Sequence, residues 1–175
     1  VRVILPLYES IAPVWREQMH FVMSMYVRLS WRSLYCGLFE LTRGSVTYYF
    51  LDNEYYFKRR ELYGLYDDGE RFAFYSKAVL DILPELDWKP DVIHCNDWQT
   101  ALIPIYLRSL KNSALDGIRT VFTIHNIEYQ GRFGREIMAD VFGLPETLVE
   151  NGTLEFMGGV SLMKGALLLS DRITT

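Results

Sequence analysis

The chain has 175 residues, half of them hydrophobic and 23% charged, a composition that excludes disordered, collagen-like and low-complexity classes and is enough for a real core. Eighteen Lys and Arg against 22 Asp and Glu give a net charge of -4, so no basic field draws in nucleic acid or anionic lipid. Two separated cysteines, Cys36 and Cys95, outside any C-x-x-C pair, argue against a zinc site or disulfide framework and suit a reducing compartment.

Val1 to Pro6 is apolar and β-branched and closes on a proline, as a buried parallel strand does. From Phe21 the period becomes two, with Phe21, Met23, Met25, Val27 and Leu29 on one face and Val22, Ser24, Tyr26, Arg28 and Ser30 on the other. Strand-like runs Trp31 to Leu41 and Val46 to Leu51 flank Thr42-Arg43-Gly44-Ser45, a four-residue hairpin connection with a glycine for positive φ. Asp52 to Tyr66, dense in tyrosine and charge, has no clean period and is predicted to be an ordered loop. Asp67 or Asp68 is placed to cap a helix whose Phe72, Tyr75, Ala78, Val79, Ile82 and Leu83 recur at three and four until Pro84.

The second half reads as a βαβ unit: strand Asp91 to Cys95, helix Trp98 to Leu110, strand Thr120 to Ile124. Crossovers of this kind are right-handed in about 98% of cases, so the two strands are predicted to be parallel neighbours. Ile137 to Phe142 and Val160 to Leu169 read as helices, and Arg172 to Thr174 as a last strand. The chain opens inside one strand-like run and stops as another begins, so it reads as part of a larger unit, and an uncovered sheet edge favours self-association. No run of about 18 apolar residues is present to suggest a membrane span.

In an open parallel sheet, ligands sit outside the carboxyl ends of the strands. Asn96-Asp97-Trp98-Gln99 follows one predicted strand and His125-Asn126-Ile127-Glu128-Tyr129-Gln130-Gly131 the other, so Asp97 and His125 are predicted to enter one crevice. Position alone also allows Asp97 to be the helix cap and His125 a satisfied strand-end histidine. Two adjacent polar side chains, His125 and Asn126, with Gln130 and Gly131 behind them, favour a functional reading of the loop. His20 and His94 read as surface or core residues, and Tyr55 to Tyr66 divide between core packing and contact with sugar rings. The chain holds no G-x-S-x-G, Walker A, H-E-x-x-H or G-x-G-x-x-G motif, which disfavours a nicotinamide enzyme, and no carboxylate cluster has metal-ligand spacing.

Asp91-Val92-Ile93-His94-Cys95-Asn96-Asp97-Trp98-Gln99-Thr100, followed by Thr123-Ile124-His125-Asn126-Ile127-Glu128-Tyr129-Gln130-Gly131, resembles bacterial glycogen synthases and plant starch synthases. The resemblance covers nearly the whole chain: Val1 to Tyr8 looks like the family's second strand, Asp52 to Arg71 its tyrosine-rich loop, and Leu154 to Lys164 its later helix region. It implies an α/β, Rossmann-like parallel sheet with an antiparallel hairpin excursion, in the amino-terminal, acceptor-side half of a two-domain glycosyltransferase of GT-B type. The activity implied is transfer of glucose from ADP-glucose to the non-reducing end of an α-1,4-glucan with retention. The donor is a substrate, and no cofactor or metal is implied. By position Asp97 matches an acidic residue needed for activity and His125 the histidine near the transferred glucose, while Tyr63, Asn126 and Gln130 match the walls of the cleft. Tyr66 competes with Tyr63 for that assignment.

The family's K-T-G-G-L loop does not occur in the chain. The carboxyl-terminal domain that meets the donor diphosphate in this family is likewise not recognisable, so the 175 residues alone are expected to be inactive. The resemblance implies a cytoplasmic location for a bacterial parent and a plastid for a plant one. The competing readings are a non-catalytic glucan-binding module, with the aromatics as its platform, and another two-domain nucleotide-sugar enzyme of the sucrose or trehalose synthase kind.

Overall fold

The opening apolar run forms strand β1 (Arg2–Pro6) in the computed structural model, which describes residues 1–175. It runs parallel to β4 (Val46–Asp52), with Ile4 opposite Tyr49. The strand is only half-buried, because it lies at the edge of its sheet and not in the interior that its composition suggested. A short helix α1 (Pro13–Arg16) leads to β2 (His20–Leu29), where the period-two pattern holds from Met23 on, with Val27 and Leu29 buried and Tyr26 and Arg28 facing solvent; Phe21, expected on the inner face, is 57% exposed and paired with Phe39. A bulge between Phe21 and Met23 shifts its register on β3 (Arg32–Arg43).

The β3–β4 hairpin is tighter than expected. Its strands run up to Arg43 and Val46, leaving two turn residues, of which Gly44 takes φ 62°. The turn between β2 and β3, Ser30-Trp31, places Ser30 at φ 54° and has no glycine to announce it. The resulting sheet has the order β1-β4-β3-β2. The tyrosine-rich segment is not wholly loop. Helix α2 (Glu54–Phe57) forms because the Asn53 side chain accepts the Tyr56 N–H at 3.2 Å, and it sinks Tyr56 and Phe57 into the core.

Helix α3 (Asp68–Ile82) lies where the periodicity places it, but neither aspartate caps it. Asp67 instead takes both guanidinium nitrogens of Arg59 at 2.7 Å, and Asp68 turns back to Gly64 and Arg71. The helix is buried on nearly every side, since it packs on β2 and also against α4 (Leu102–Ser109). Pro84, which has no N–H to donate, ends it in a tight turn over Leu83–Glu85.

The βαβ unit forms with β5 (Val92–Asn96), a tight turn at Trp98–Thr100, α4, and β6 (Arg119–Thr123), Cys95 standing opposite Phe122 in parallel register. Past β6 the chain adds β7 (Arg132–Phe133), one π-type turn at Met138–Phe142 closed by Gly143 at φ 63°, and α5 (Thr147–Glu150). The segment read as one helix from Val160 divides. Glu155–Phe156 and Gly159–Ser161 form β8 and β9, which with β7 make a small antiparallel sheet of order β7-β9-β8. Helix α6 (Leu162–Leu169) begins only after the Ser161 hydroxyl accepts the Lys164 N–H at 3.2 Å. The last strand, β10 (Arg172–Thr174), pairs with β6, giving the order β10-β6-β5.

The fold is α/β, with its parallel pairs divided between two sheets that share one hydrophobic core running through α3 and α4. No helix is long and apolar enough to cross a membrane. Burial pushes the thiols of Cys36 and Cys95 up to about 12, so both are inert packing groups.

Candidate functional site

Because β5 and β6 are parallel neighbours, their carboxyl ends deliver residues 96–97 and 125–126 to one rim. The Asp97 N–H still donates to Thr123 O at 3.0 Å, and beyond that bond the backbone turns sharply, with Asp97 at φ 55° and ψ −179°. A residue with a side chain is strained there. The turn aims the carboxylate across the rim: Asp97 Oδ1 accepts the His125 N–H at 2.8 Å and the Asn126 N–H at 3.4 Å. Asp97 therefore does not cap the helix that follows, which takes no hydrogen bond from its side chain. It clamps the neighbouring loop.

His125 is held at its ring as well. Its Nε2 lies 3.0 Å from Asn96 Oδ1. With that oxygen as acceptor, Nε2 carries the proton and Nδ1 is free to accept. The imidazole is exposed at the mouth of the rim. Asn96 escaped the sequence reading, although its place as the last residue of β5, next to Asp97, was a signal.

The loop behind His125 folds on itself. Asn126 Oδ1 accepts the Glu128 N–H at 3.0 Å, and Gln130 Nε2 donates to Ile127 O at 3.2 Å. Its far end is anchored to the start of α6, where Met163 N donates to Gln130 O and Leu162 N to Gly131 O. Gly131 has φ 61°, and a Cβ there would stand 2.7 Å from Trp98 Cε3, so only glycine fits.

Tyr63 joins this loop through Tyr129, edge-on with ring centroids 6.5 Å apart, and is 54% exposed. Tyr66 stands 94% exposed with no aromatic partner. What holds Tyr63 in place is a device the sequence reading missed. Arg71, fully buried, donates to Asp68 Oδ1 at 2.6 Å, to Tyr56 O at 2.8 Å and to Leu62 O at 3.4 Å. Asp68 Oδ2 accepts the Gly64 N–H at 2.5 Å. The ion pair thus grips the residues on both sides of Tyr63. The available signal was an Asp and an Arg three apart on one helix, beside the apolar run from Phe72 to Tyr75.

The two other histidines lie elsewhere: His94 bonds Thr123 Oγ1 at 2.6 Å, and His20 starts β2 in solvent. No three His, Cys, Asp or Glu side chains gather as a metal-ligand set.

An imidazole and an aspartate-clamped loop at the carboxyl rim of parallel strands, with an exposed tyrosine against that loop, define an α/β unit with a polar, open edge. A family model described as "Starch synthase catalytic domain" matches residues 1–175, and the chain belongs to that family. A glycogen synthase of Geobacillus stearothermophilus is 53% identical over 176 residues, 99% of this chain and 36% of the relative. One of Anoxybacillus flavithermus is 50% identical over 177 residues, covering 100% of this chain and 37% of the relative. Among solved structures, the catalytic domain of starch synthase IV from Arabidopsis thaliana, bound to ADP and acarbose, matches with a TM-score of 0.86 at 28% identity. That match covers 100% of this chain and 37% of the other. The chain thus spans a little over a third of the length of these relatives.

Proposed function

We propose that this chain is the acceptor-side, amino-terminal part of a two-domain GT-B glucosyltransferase that lengthens an α-1,4-glucan from ADP-glucose with retention. Glycogen synthases half identical to it over essentially its whole length support the reading, as does a solved relative holding ADP and an oligosaccharide analogue. The observation that carries it is the rim itself, where Asp97 and His125 are joined across adjacent βα turns within 2.8 Å.

Glucosyl transfer breaks the bond from the anomeric carbon to the diphosphate and forms one to an acceptor hydroxyl, so positive charge builds at the sugar and negative charge on the departing ADP. His125, with one ring nitrogen fixed by Asn96, hydrogen-bonds and orients the donor glucose. Asp97 is a positioning residue that holds His125 through the backbone. Tyr63, Asn126 and Gln130 form the wall around the sugar. None of Asp97, His125, Tyr63, Asn126 and Gln130 is a Lys or Arg, so the cationic partners of the diphosphate come from outside this set of residues.

The test is chain elongation measured with labelled ADP-glucose and glycogen, together with NMR of the new linkage. The full-length enzyme encoded by the gene is expected to add α-linked glucose and the 175-residue chain to add none. Elongation by the short chain, or an inverted linkage from the long one, overturns the proposal.

A further inference from the structure

Consecutive residues of a regular strand send their side chains to opposite faces. At the end of β5 the backbone of Asp97 breaks that rule: its φ of 55° turns the chain so that Asn96 and Asp97 both reach the same residue of the neighbouring loop. Asp97 takes hold of the His125 backbone through its N–H at 2.8 Å, and Asn96 Oδ1 takes hold of the ring through Nε2 at 3.0 Å. Asn96 is itself fixed, since it pairs with Thr123 in parallel register and its carbonyl accepts the Thr100 hydroxyl at 2.9 Å. The imidazole therefore meets the rim pinned at two points, both supplied by β5.

The second hold differs in kind from the first. A backbone N–H donates whatever the ring carries, so the Asp97 contact places His125 without deciding what its ring offers a ligand. An amide oxygen can only accept, so Nε2 keeps the hydrogen, and in the neutral ring that leaves Nδ1 with a lone pair and no hydrogen. A nitrogen of that kind attracts a hydroxyl hydrogen and repels the oxygens of a phosphate or a carboxylate. It suits a hydroxyl group of a neutral sugar and not the diphosphate of a nucleotide.

We propose that Asn96 is a positioning residue for the transfer, acting only through His125: it fixes the ring as a hydrogen-bond acceptor and so makes the rim read a sugar hydroxyl. That this hydroxyl belongs to the transferred glucose rests on the function proposed above; the setting of the His125 tautomer by Asn96 does not.

The test is NMR of the 175-residue chain labelled with ¹⁵N at histidine, alongside kinetics of the full-length enzyme. The chain has three histidines, and the signals missing from a His125→Gln spectrum belong to His125. At about pH 9, where an imidazole is neutral, the parent is expected to carry the His125 hydrogen on Nε2. Asn96→Leu, close in shape but without an acceptor, is expected to move the two nitrogen shifts toward each other as both tautomers become populated. Asn96→Asp, which keeps an acceptor oxygen, is expected to restore the parent pattern. In the full-length enzyme Asn96→Leu is expected to lower kcat about tenfold at unchanged Tm, and to cost nothing further when added to His125→Ala. Asn96→Ala takes the place of the leucine variant where that variant does not fold. A hydrogen on Nδ1 in the parent, or shifts that Asn96→Leu leaves unmoved, overturns the proposal, as does a further loss in the His125→Ala background. A tautomer that responds as expected in a parent enzyme that transfers no glucose upholds the Asn96 hold and counts against the function proposed above.

Discussion

Asp97 does two opposed things, and separating them is a sharp test of the clamp. Its carboxylate bonds the His125 N–H at 2.8 Å, and its backbone sits at φ 55° and ψ −179°. A charge-assisted hydrogen bond contributes about 1.5–3 kcal/mol when sealed from water; His125 is exposed, so water recovers part of it and about 1 kcal/mol is lost on truncation. Asp97→Ala takes that loss and keeps the strain, which costs a residue with a Cβ about 1–3 kcal/mol. Asp97→Gly takes the same loss but relieves the strain, less about 0.4–1 kcal/mol for the freer unfolded chain. The glycine variant is therefore expected to be more stable than the alanine variant by about 1 kcal/mol and close to the parent, the reverse of the usual order at ordinary backbone angles. Urea unfolding followed by circular dichroism reads this directly: at a slope of about 2 kcal/mol per molar, the midpoints differ by about 0.5 M. An alanine variant as stable as the glycine variant, or more so, refutes the reasoning.

Replacing Arg71 with Met leaves Asp68 charged and buried, so about 3–5 kcal/mol of stability is expected to go, and a shift under 1 kcal/mol in urea unfolding contradicts the role given to the pair. Gly131→Ala forces a Cβ into Trp98 at positive φ and is expected to cost about 1–3 kcal/mol, measured as a fall in Tm. Asp171 is held below the usual carboxylate range chiefly by the Thr120 N–H, and also by Arg108. Its contribution is present above the unfolded value near 3.8 and is lost as pH falls through the lower folded value. Asp171→Asn is accordingly expected to flatten the acid limb of the stability curve below about pH 4; equal slopes for parent and variant contradict this.

The parts of the fold legible in the sequence are those whose signal is local and repetitive. The alternation in Met23–Leu29 and the spacing from Phe72 to Ile82 mark side chains that the core takes in, and the βα punctuation around Asn96–Asp97 marks where a strand ends. What escaped depends on partners distant in the chain. Asp68 is a good cap by type, but the buried Arg71 guanidinium outcompetes a helix N–H for its carboxylate. Val160 and Ser161 read as helix until Arg132 and Phe133 arrive to pair with them as a strand. The site followed the same rule: the meeting of Asp97 and His125 came from strand order, whereas the Asn96 contact and the Arg71 grip on the Tyr63 segment required side-chain directions. Tyr63 and Tyr66, equivalent by sequence, are separated by the Tyr129 contact, by exposure and by the hold of Asp68 and Arg71 on the residues beside Tyr63.

The central claim is that the imidazole on this rim handles the transferred glucose. The kcat of the full-length enzyme carrying His125→Ala, measured at saturating ADP-glucose and glycogen, tests it most directly. We expect a fall of about a hundredfold or more with Tm unchanged. Turnover within twofold of the parent, at the same Tm, contradicts the account.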